Sequence, residues 1–151
     1  MAKSLQFCTF FVDGLRFGVD VHKVQEVVPY QEMTRVPLAP ATVQGLLNLR
    51  GQIVTGIDLR RRLELADRDS SQRPMNIVLR ADDCPVSFLV DDIGEVIEVP
   101  AQASERPPDT LDGRIRALIQ AVYPLADDLL LVLDIDKTLD LSPDKSRPPG
   151  H

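Results

Sequence analysis

GLLNLRGQIVTGIDLRRRL, residues 45–63, decides the fold, because it combines a long apolar run with interspersed glycines. The pattern predicts two short strands that turn at Gly51, followed by a short helix capped by Asp58. Arg50 lies in the middle of this run, just before the turn glycine, with no acidic residue close to it in sequence. A guanidinium keeps its charge and is costly to bury alone. The sequence therefore predicts that Arg50 has either a structural partner or a binding role.

The composition of the chain is that of an ordinary globular protein. Its 151 residues, 44% of them apolar, are enough for one compact domain or two small lobes. Aromatic residues make up only 5% and the formal net charge is -6, so neither a base-stacking platform nor a nucleic-acid interface is predicted. No segment approaches the roughly 20 apolar residues of a membrane-spanning helix, and the N-terminus has no secretion pattern. These features predict a cytoplasmic protein without direct membrane insertion.

Strand patterns dominate the rest of the chain, and turn signals join most of them into hairpins. Asp13-Gly14 predicts a tight turn between two strands. Two further hairpins are predicted around Asp82-Asp83 and Asp127-Asp128. A single strand is predicted at 94–100, and polar connections precede the second hairpin and the third. The fold class that follows is mainly β with short helices.

One short segment after the first hairpin shows a helical period instead. Val21, Val24 and Val28 are spaced three and four residues apart, which predicts a short helix. Asp20 is placed to cap its start, and Pro29 limits its length. We expect Val24 to lie on the apolar face of this helix.

The two halves of the chain resemble each other. Asp58 is followed by leucines five and seven residues later, and Asp134 is followed by leucines at the same spacing. In both places an apolar strand ends on an aspartate that is predicted to cap a short helix. FGVD (17–20) likewise matches FLVD (88–91). We interpret the pattern as a duplication that forms two similar small antiparallel barrels with a groove between them.

A search for catalytic chemistry favours a binding module. His22 and His151 are the only histidines and lie far from any cysteine, so no metal site, no cofactor and no catalytic residues are predicted. The paired aspartates, Asp82-Asp83, Asp91-Asp92 and Asp127-Asp128, are expected to be solvated turn residues. The arginines 60–62 are interpreted as a solvated face or part of a protein interface. Cys8 and Cys84 are predicted to be buried, free thiols in strands.

Several segments in order resemble the CheW family of chemotaxis coupling proteins: KVQEVV (23–28), MTRVPLAP (33–40), the opening stretch, FLVDDIGEVIEV (88–99), PPDTLDG (107–113) and LLLVLDIDKTL (129–139). The resemblance covers residues 5–141 and implies one domain built from two intertwined five-stranded, SH3-like barrels without enzymatic activity. We expect approximate lobes at 14–65 and 75–141, with exchange of terminal strands left open, and a disordered tail at 142–151.

The resemblance also implies partners and a binding site. The family links the cytoplasmic tips of chemoreceptors to the regulatory domain of the histidine kinase CheA, which would place this chain at membrane-associated receptor arrays. It implies a receptor-binding groove that includes Val24, Val27, Gly45 and Arg50. Glu26 would lie beside Arg50, so the pair is either part of the groove or a purely structural ion pair. Two alternatives stay open: an adaptor of a chemosensory-type pathway unrelated to swimming, and a small-barrel ligand-binding protein or enzyme.

Overall fold

The computed structural model describes residues 3–69, 71–81 and 84–140. The first half of the chain forms five strands: β1 Ser4–Val12, β2 Leu15–Asp20, β3 Val24–Val28, β4 Val43–Leu49 and β5 Gln52–Asp58. The second half forms five more: β6 Met75–Leu79, β7 Val86–Val90, β8 Asp92–Pro100, β9 Ile119–Pro124 and β10 Leu129–Leu133. The described helices are short: α1 Leu59–Arg62, α2 Gly113–Arg116, α3 Ile135–Leu139, and 3₁₀ turns at Val21–Lys23 and Ala101–Ala103.

The strands form two five-stranded sheets of the same design, which confirms the predicted fold class. Lobe 1 is the sheet with the order β8-β1-β2-β10-β9, and lobe 2 is the sheet with the order β3-β6-β7-β5-β4. Most neighbours are antiparallel, but each lobe also contains one parallel pair, β2 with β10 and β5 with β7. In each lobe one edge strand also pairs with a residue of the loop that leads into it. Thr34, in the β3–β4 loop, pairs with Leu46 of β4, and Glu105, in the β8–β9 connection, pairs with Val122 of β9.

Each lobe takes strands from both halves of the chain. Adding five to every strand number, with β1 following β10, converts the order of lobe 1 into that of lobe 2. The sequence matches between the halves, Asp58 with Asp134 and FGVD with FLVD, fall at equivalent positions of the two lobes. The expected limits, 14–65 for one lobe and 75–141 for the other, put β2 with β3–β5 and put β6 and β7 with β8–β10. In the structure β2 pairs with strands of lobe 1, and β6 and β7 pair with strands of lobe 2, so the lobes do not follow these limits. The predicted tail at 142–151 lies outside the described residues.

A shared core joins the two lobes, and each lobe has a smaller core of its own. The shared core is formed by side chains from both sheets, including Phe10, Phe17, Ile77 and Phe88, all with no exposed surface. The core of lobe 1 is formed by Phe7, Val99, Tyr123, Leu130 and Val132. The core of lobe 2 is formed by Leu47, Leu49, Val54 and Val78. Burial of this apolar surface is the main stabilising term for such a small barrel pair.

The helix predicted after Asp20 is wrong. Only Val21–Lys23 forms a 3₁₀ turn, and β3 begins at Val24. The pairing of β3 with β6 shifts register between Val24 and Glu26, which inserts one extra residue into β3. Such a bulge interrupts the alternation of side chains between the two faces of a strand. The valines are therefore spaced three and four residues apart, as they would be in a helix, although they lie in or beside a strand.

Candidate functional site

Arg50 lies in the turn between β4 and β5, at the centre of the candidate site. Arg50 and Gly51 both have positive φ, 53° and 86°, as a type I′ hairpin turn requires. The side-chain carbonyl of Asn48 accepts a hydrogen bond from the Gly51 amide at 2.8 Å and supports the turn. This geometry projects the guanidinium away from the hairpin, and 68% of the Arg50 side chain is exposed.

Glu26 is the partner of Arg50. Nη2 of Arg50 donates to both carboxylate oxygens of Glu26, and this hydrogen bond raises the pKa of Arg50. Glu26 lies on the edge strand β3, not on the predicted helix, and its side chain is 23% exposed. The ion pair therefore joins one edge of lobe 2 to the hairpin at the other edge.

Gly45 has a packing role inside lobe 2. It pairs with Gly56 across β4 and β5, and both glycines are buried. A Cβ on Gly45 would lie 2.6 Å from the Thr34 carbonyl oxygen, and one on Gly56 would lie 2.5 Å from Met33 Sδ. The two glycines thus form a slot that the Met33 side chain and the Thr34 backbone fill. Gly45 therefore allows the loop to pack closely over β4.

The two groove valines point in different directions. Val24 is partly buried and packs against the shared core, whereas Val27 is 39% exposed. Val28 is partly buried against the core of lobe 2. Among the four implied groove residues, Val27 and Arg50 have exposed side chains, Val24 is partly buried, and Gly45 is buried.

The three aspartates predicted as helix caps do begin short helical turns, and Asp112, which was not predicted, caps α2 by accepting from the Arg114 amide at 2.8 Å. Asp20 accepts from the His22 amide, Asp58 from the Arg60 amide and Asp134 from the Lys137 amide, at 2.9, 3.0 and 3.1 Å. Asp58 and Asp134 occupy equivalent positions after β5 and β10. The capping distances are those of ordinary hydrogen bonds.

An ion-pair network between the lobes was missed in the sequence interpretation. Arg60 donates from Nε and Nη2 to the two carboxylate oxygens of Asp91, at 2.8 and 2.6 Å. Arg68 lies 3.4 Å from both Asp58 and Asp91. All four side chains are at most 18% exposed. The expectation that Asp91 is a solvated turn residue is therefore wrong.

Arginines 60–62, interpreted as a solvated face or part of a protein interface, each make hydrogen bonds within the chain, and Arg61 keeps 40% of its side chain exposed. Arg61 donates to the carbonyl of Ala41 at 3.1 Å and to Asp67 at 3.2 Å. Arg62 donates to the carbonyls of Thr138, Lys137 and Asp140, at 2.7, 2.9 and 3.1 Å. It thereby binds carbonyls at the C-terminal end of α3, where a helix has few amide donors of its own. Through these hydrogen bonds, Arg61 and Arg62 connect α1 to the loop before β4, to the segment after α1 and to α3.

The cysteines occupy different environments. Cys8 is buried in β1, and burial raises the pKa of its thiol. Cys84 is exposed in the connection between β6 and β7, so the prediction that it is buried is wrong. Within the part of the chain that the structure describes, no group of three or more His, Cys, Asp or Glu residues is placed to hold a metal ion.

Within the ranges 3–69, 71–81 and 84–140, the exposed large apolar side chains fall into three groups. Val27 and Ile53 lie on lobe 2, close in sequence to the two members of the Glu26–Arg50 pair. Val96 and Leu129 lie on lobe 1, at positions equivalent to Val27 and Ile53 in the duplicated sequence. Val36 and Leu38 lie on the loop between β3 and β4. Exposed apolar side chains are typical of protein interaction surfaces where they form a contiguous patch.

Comparison with known proteins identifies the family. The model of the CheW-like domain matches residues 6–142. The chain belongs to the CheW-like domain family. It is similar to the chemotaxis protein CheW of Treponema pallidum, with 31% identity over 139 residues that cover 89% of this chain and 82% of that protein. The CheW of Bacillus subtilis is 29% identical over 142 residues, covering 94% of this chain and 91% of that protein.

A solved structure of the CheW family has the same fold. The scaffolding protein TtCheW from Thermoanaerobacter tengcongensis matches with a TM-score of 0.77 and 26% identity, covering 89% of this chain and 87% of that chain. CheW proteins are non-enzymatic scaffolds, and we conclude that this chain is a chemotaxis scaffold protein and not an enzyme. No helix among the described residues has both the length and the apolar character needed to cross a membrane.

Proposed function

We propose that this chain couples chemoreceptors to the histidine kinase CheA by binding the receptor tip and the kinase regulatory domain through separate surfaces. It would thus work at the membrane-associated receptor arrays in the cytoplasm. The observation that carries this proposal is the family match across residues 6–142, combined with exposed apolar side chains on both lobes.

The receptor surface is placed on lobe 2, around Val27 and Arg50. Arg50 is exposed yet held in one orientation by Glu26, so little side-chain freedom is lost on binding. Val27 and Ile53 supply apolar area on the same lobe, 39% and 55% exposed. An amphipathic receptor helix can lay its apolar stripe on such a surface.

The kinase surface is placed on lobe 1, which carries Val96 and Leu129. These side chains are 55% and 37% exposed. The resemblance to the CheW family implies that the regulatory domain of CheA shares this fold, so it would meet lobe 1 as one barrel against another. Because the receptor would bind lobe 2 and the kinase would bind lobe 1, both partners could bind at the same time.

A reconstituted kinase assay tests the coupling. Adding this protein to membranes containing receptor and to CheA is expected to raise kinase autophosphorylation well above that of the receptor and kinase without it. An unchanged rate at saturating protein would overturn the proposed function.

Two matched variants test the placement of the surfaces. Val27→Glu is expected to weaken receptor capture by about tenfold or more, because docking would strip water from an unpaired carboxylate. It is expected to leave kinase binding unchanged. Val96→Glu, at the equivalent position of lobe 1, is expected to show the opposite pattern. Loss of both partners in either variant would contradict the division between lobes.

A further inference from the structure

The two lobes can be compared residue by residue, because their edge strands are built alike. In lobe 2, β3 has one extra residue just before Glu26, where its register with β6 shifts. In lobe 1, two residues of β8, the second of them Glu95, lie opposite Thr9 alone. The hydroxyl of Thr9 donates to the Glu95 carbonyl at 2.5 Å. Since EVV (26–28) also matches EVI (95–97) in sequence, Glu95 occupies in lobe 1 the position that Glu26 has in lobe 2.

The turns of the two hairpins also correspond. Arg50 and Gly51 join β4 to β5. Between β9 and β10, a hydrogen bond of 2.8 Å from the Leu125 amide to the Asp128 carbonyl leaves a turn of the same length, Ala126-Asp127. Arg50 and Ala126 both lie eight positions before the aspartate that caps the following helix. Ala126 therefore occupies the position of Arg50.

The carboxylate of the ion pair is present in both lobes, but its arginine is present only in lobe 2. Glu26 binds Arg50 through both carboxylate oxygens. Glu95 is exposed, and no residue that the structure describes forms an ion pair with it. The corresponding turn offers Ala126 and a second exposed acid, Asp127, in place of a cation. Lobe 1 thus has the acceptor for a guanidinium but lacks the guanidinium.

The apolar surroundings of this position are alike in the two lobes. Val96 and Leu129 hold the positions of Val27 and Ile53, and are 55% and 37% exposed. A partner that covers Val96 brings its surface next to Glu95, and a carboxylate that loses water without gaining a counter-charge opposes binding. The charge that stabilises such a contact is therefore positive. Lobe 2 shows that a guanidinium suits the position.

We propose that CheA, on binding lobe 1, places an arginine side chain against Glu95, in the position that Arg50 holds in lobe 2. The inference rests on the proposed function, because it names the chemistry of the partner that the lobe 1 surface takes. The same contact distinguishes the two lobes. At lobe 2 an incoming arginine would meet a carboxylate that is already neutralised and would be repelled by Arg50. The arginine thus directs the kinase to one lobe of a duplicated fold and leaves the other lobe to the receptor.

Supplying the missing arginine within the chain tests the proposal. Ala126→Arg places a guanidinium where lobe 2 has Arg50, so that Glu95 gains a partner in its own chain. Binding of full-length CheA, measured by titration calorimetry, is expected to weaken by about tenfold or more, because the arginine of the kinase then meets a positive charge. The melting temperature is expected to stay equal or rise. Ala126→Gln, which has a long side chain but no charge, is the matched control and is expected to bind CheA like the wild type.

Removing the carboxylate is the complementary test. Glu95→Gln is expected to weaken CheA binding by about tenfold or more. The affinity that remains is expected to depend less on salt than that of the wild type, because the attraction that salt screens is gone. Glu98→Gln, at another exposed position of β8, is the control and is expected to keep the affinity and the salt dependence of the wild type.

The results separate this inference from the function on which it rests. If the wild type and Glu95→Gln bind CheA with the same affinity and the same salt dependence, the inference is wrong and the coupling function stands. Equal weakening by Ala126→Arg and Ala126→Gln also contradicts the inference, since the size of the side chain and not its charge would then matter. A wild-type protein that binds no CheA would overturn both.

Discussion

Arg60 and Asp91 join the two lobes through a pair of parallel hydrogen bonds. Arg60 belongs to α1, which follows β5 of lobe 2, and Asp91 lies between β7 and β8, where the chain passes into lobe 1. The amide of Asp13, in the β1–β2 turn of lobe 1, donates to Asp91 Oδ2 at 2.7 Å. One carboxylate thus holds three segments of both lobes.

Replacing Asp91 is expected to destabilise the whole protein. In Asp91→Asn the neutral amide leaves Arg60 and Arg68, both with 11% of the side chain exposed, without a full counter-charge. We expect a loss of about 1 to 3 kcal/mol in the free energy of unfolding. Chemical denaturation measures it. Asp92→Asn, at the exposed neighbouring position, is the control and is expected to change little.

The same carboxylate predicts a dependence of stability on pH. Burial of Asp91 opposes its ionisation, but hydrogen bonds from Arg60 and the Asp13 amide, together with the charges of Arg60 and Arg68, lower its pKa. Its contribution is therefore fully present above the unfolded pKa of about 3.9 and is lost as the pH falls through the folded pKa. The difference in unfolding free energy between the wild type and Asp91→Asn is expected to shrink below about pH 4. A constant difference down to acid unfolding would show that Asp91 is not the responsible group.

Two valines of β3 are expected to respond differently to a charge. Val24→Glu places a carboxylate against the shared core and is expected to cost about 1 to 3 kcal/mol of stability. Val27→Glu leaves its carboxylate in water and is expected to keep the melting temperature close to that of the wild type. Thermal unfolding followed by circular dichroism compares the two. Equal losses would mean that both side chains face the core.

Because Met33 fills the slot formed by Gly45 and Gly56, substitutions at Gly56 and Met33 are expected to have non-additive effects on stability. Gly56→Ala is expected to destabilise the protein, because the new methyl group would overlap Met33 Sδ. Met33→Ala alone leaves a cavity and is also expected to cost stability. In the double variant the smaller side chain makes room for the methyl group, so the combined loss is expected to be less than the sum. Strict additivity in denaturant unfolding would place Met33 outside the slot.

The two thiols are expected to react at very different rates. Cys84 is exposed and should be labelled quickly in the native protein, whereas Cys8 is buried and has a raised pKa. One equivalent of a thiol reagent is therefore expected to react fast and the second only on unfolding. Cys84→Ser, which removes the fast phase, identifies the reacting residue. Fast labelling of both thiols would show that β1 opens readily.

Local patterns predicted the hairpins, because their determinants lie within a few residues. Asp13-Gly14 and Arg50-Gly51 give positive φ at both central turn positions, and the strands on either side follow from apolar runs. The valines of β3 misled the prediction because the bulge after Val24 is set by pairing with β6, some 50 residues away in sequence.

Contacts between distant residues could not be predicted from the sequence. Arg60 and its partner Asp91 are 31 positions apart, and Arg62 and the Thr138 carbonyl are 76 apart. Nothing in the charge pattern of residues 60–62 distinguishes such anchors from a solvated face. The family resemblance implied the partner of Arg50, but only the structure shows that Val24 packs against the shared core and that Gly45 is buried under Met33 and Thr34.

The exchange of strands between the halves sets an order for folding during synthesis. Lobe 2 is made of β3 to β7, so its last strand has been translated once Val90 leaves the ribosome. The hairpin β1–β2 is translated first but pairs with β8 and β10, which come last. Its apolar side chains, which include Phe10 and Phe17, cannot be buried until most of the chain has been synthesised. The nascent N-terminal hairpin is thus the segment with the longest exposure to chaperones and to aggregation.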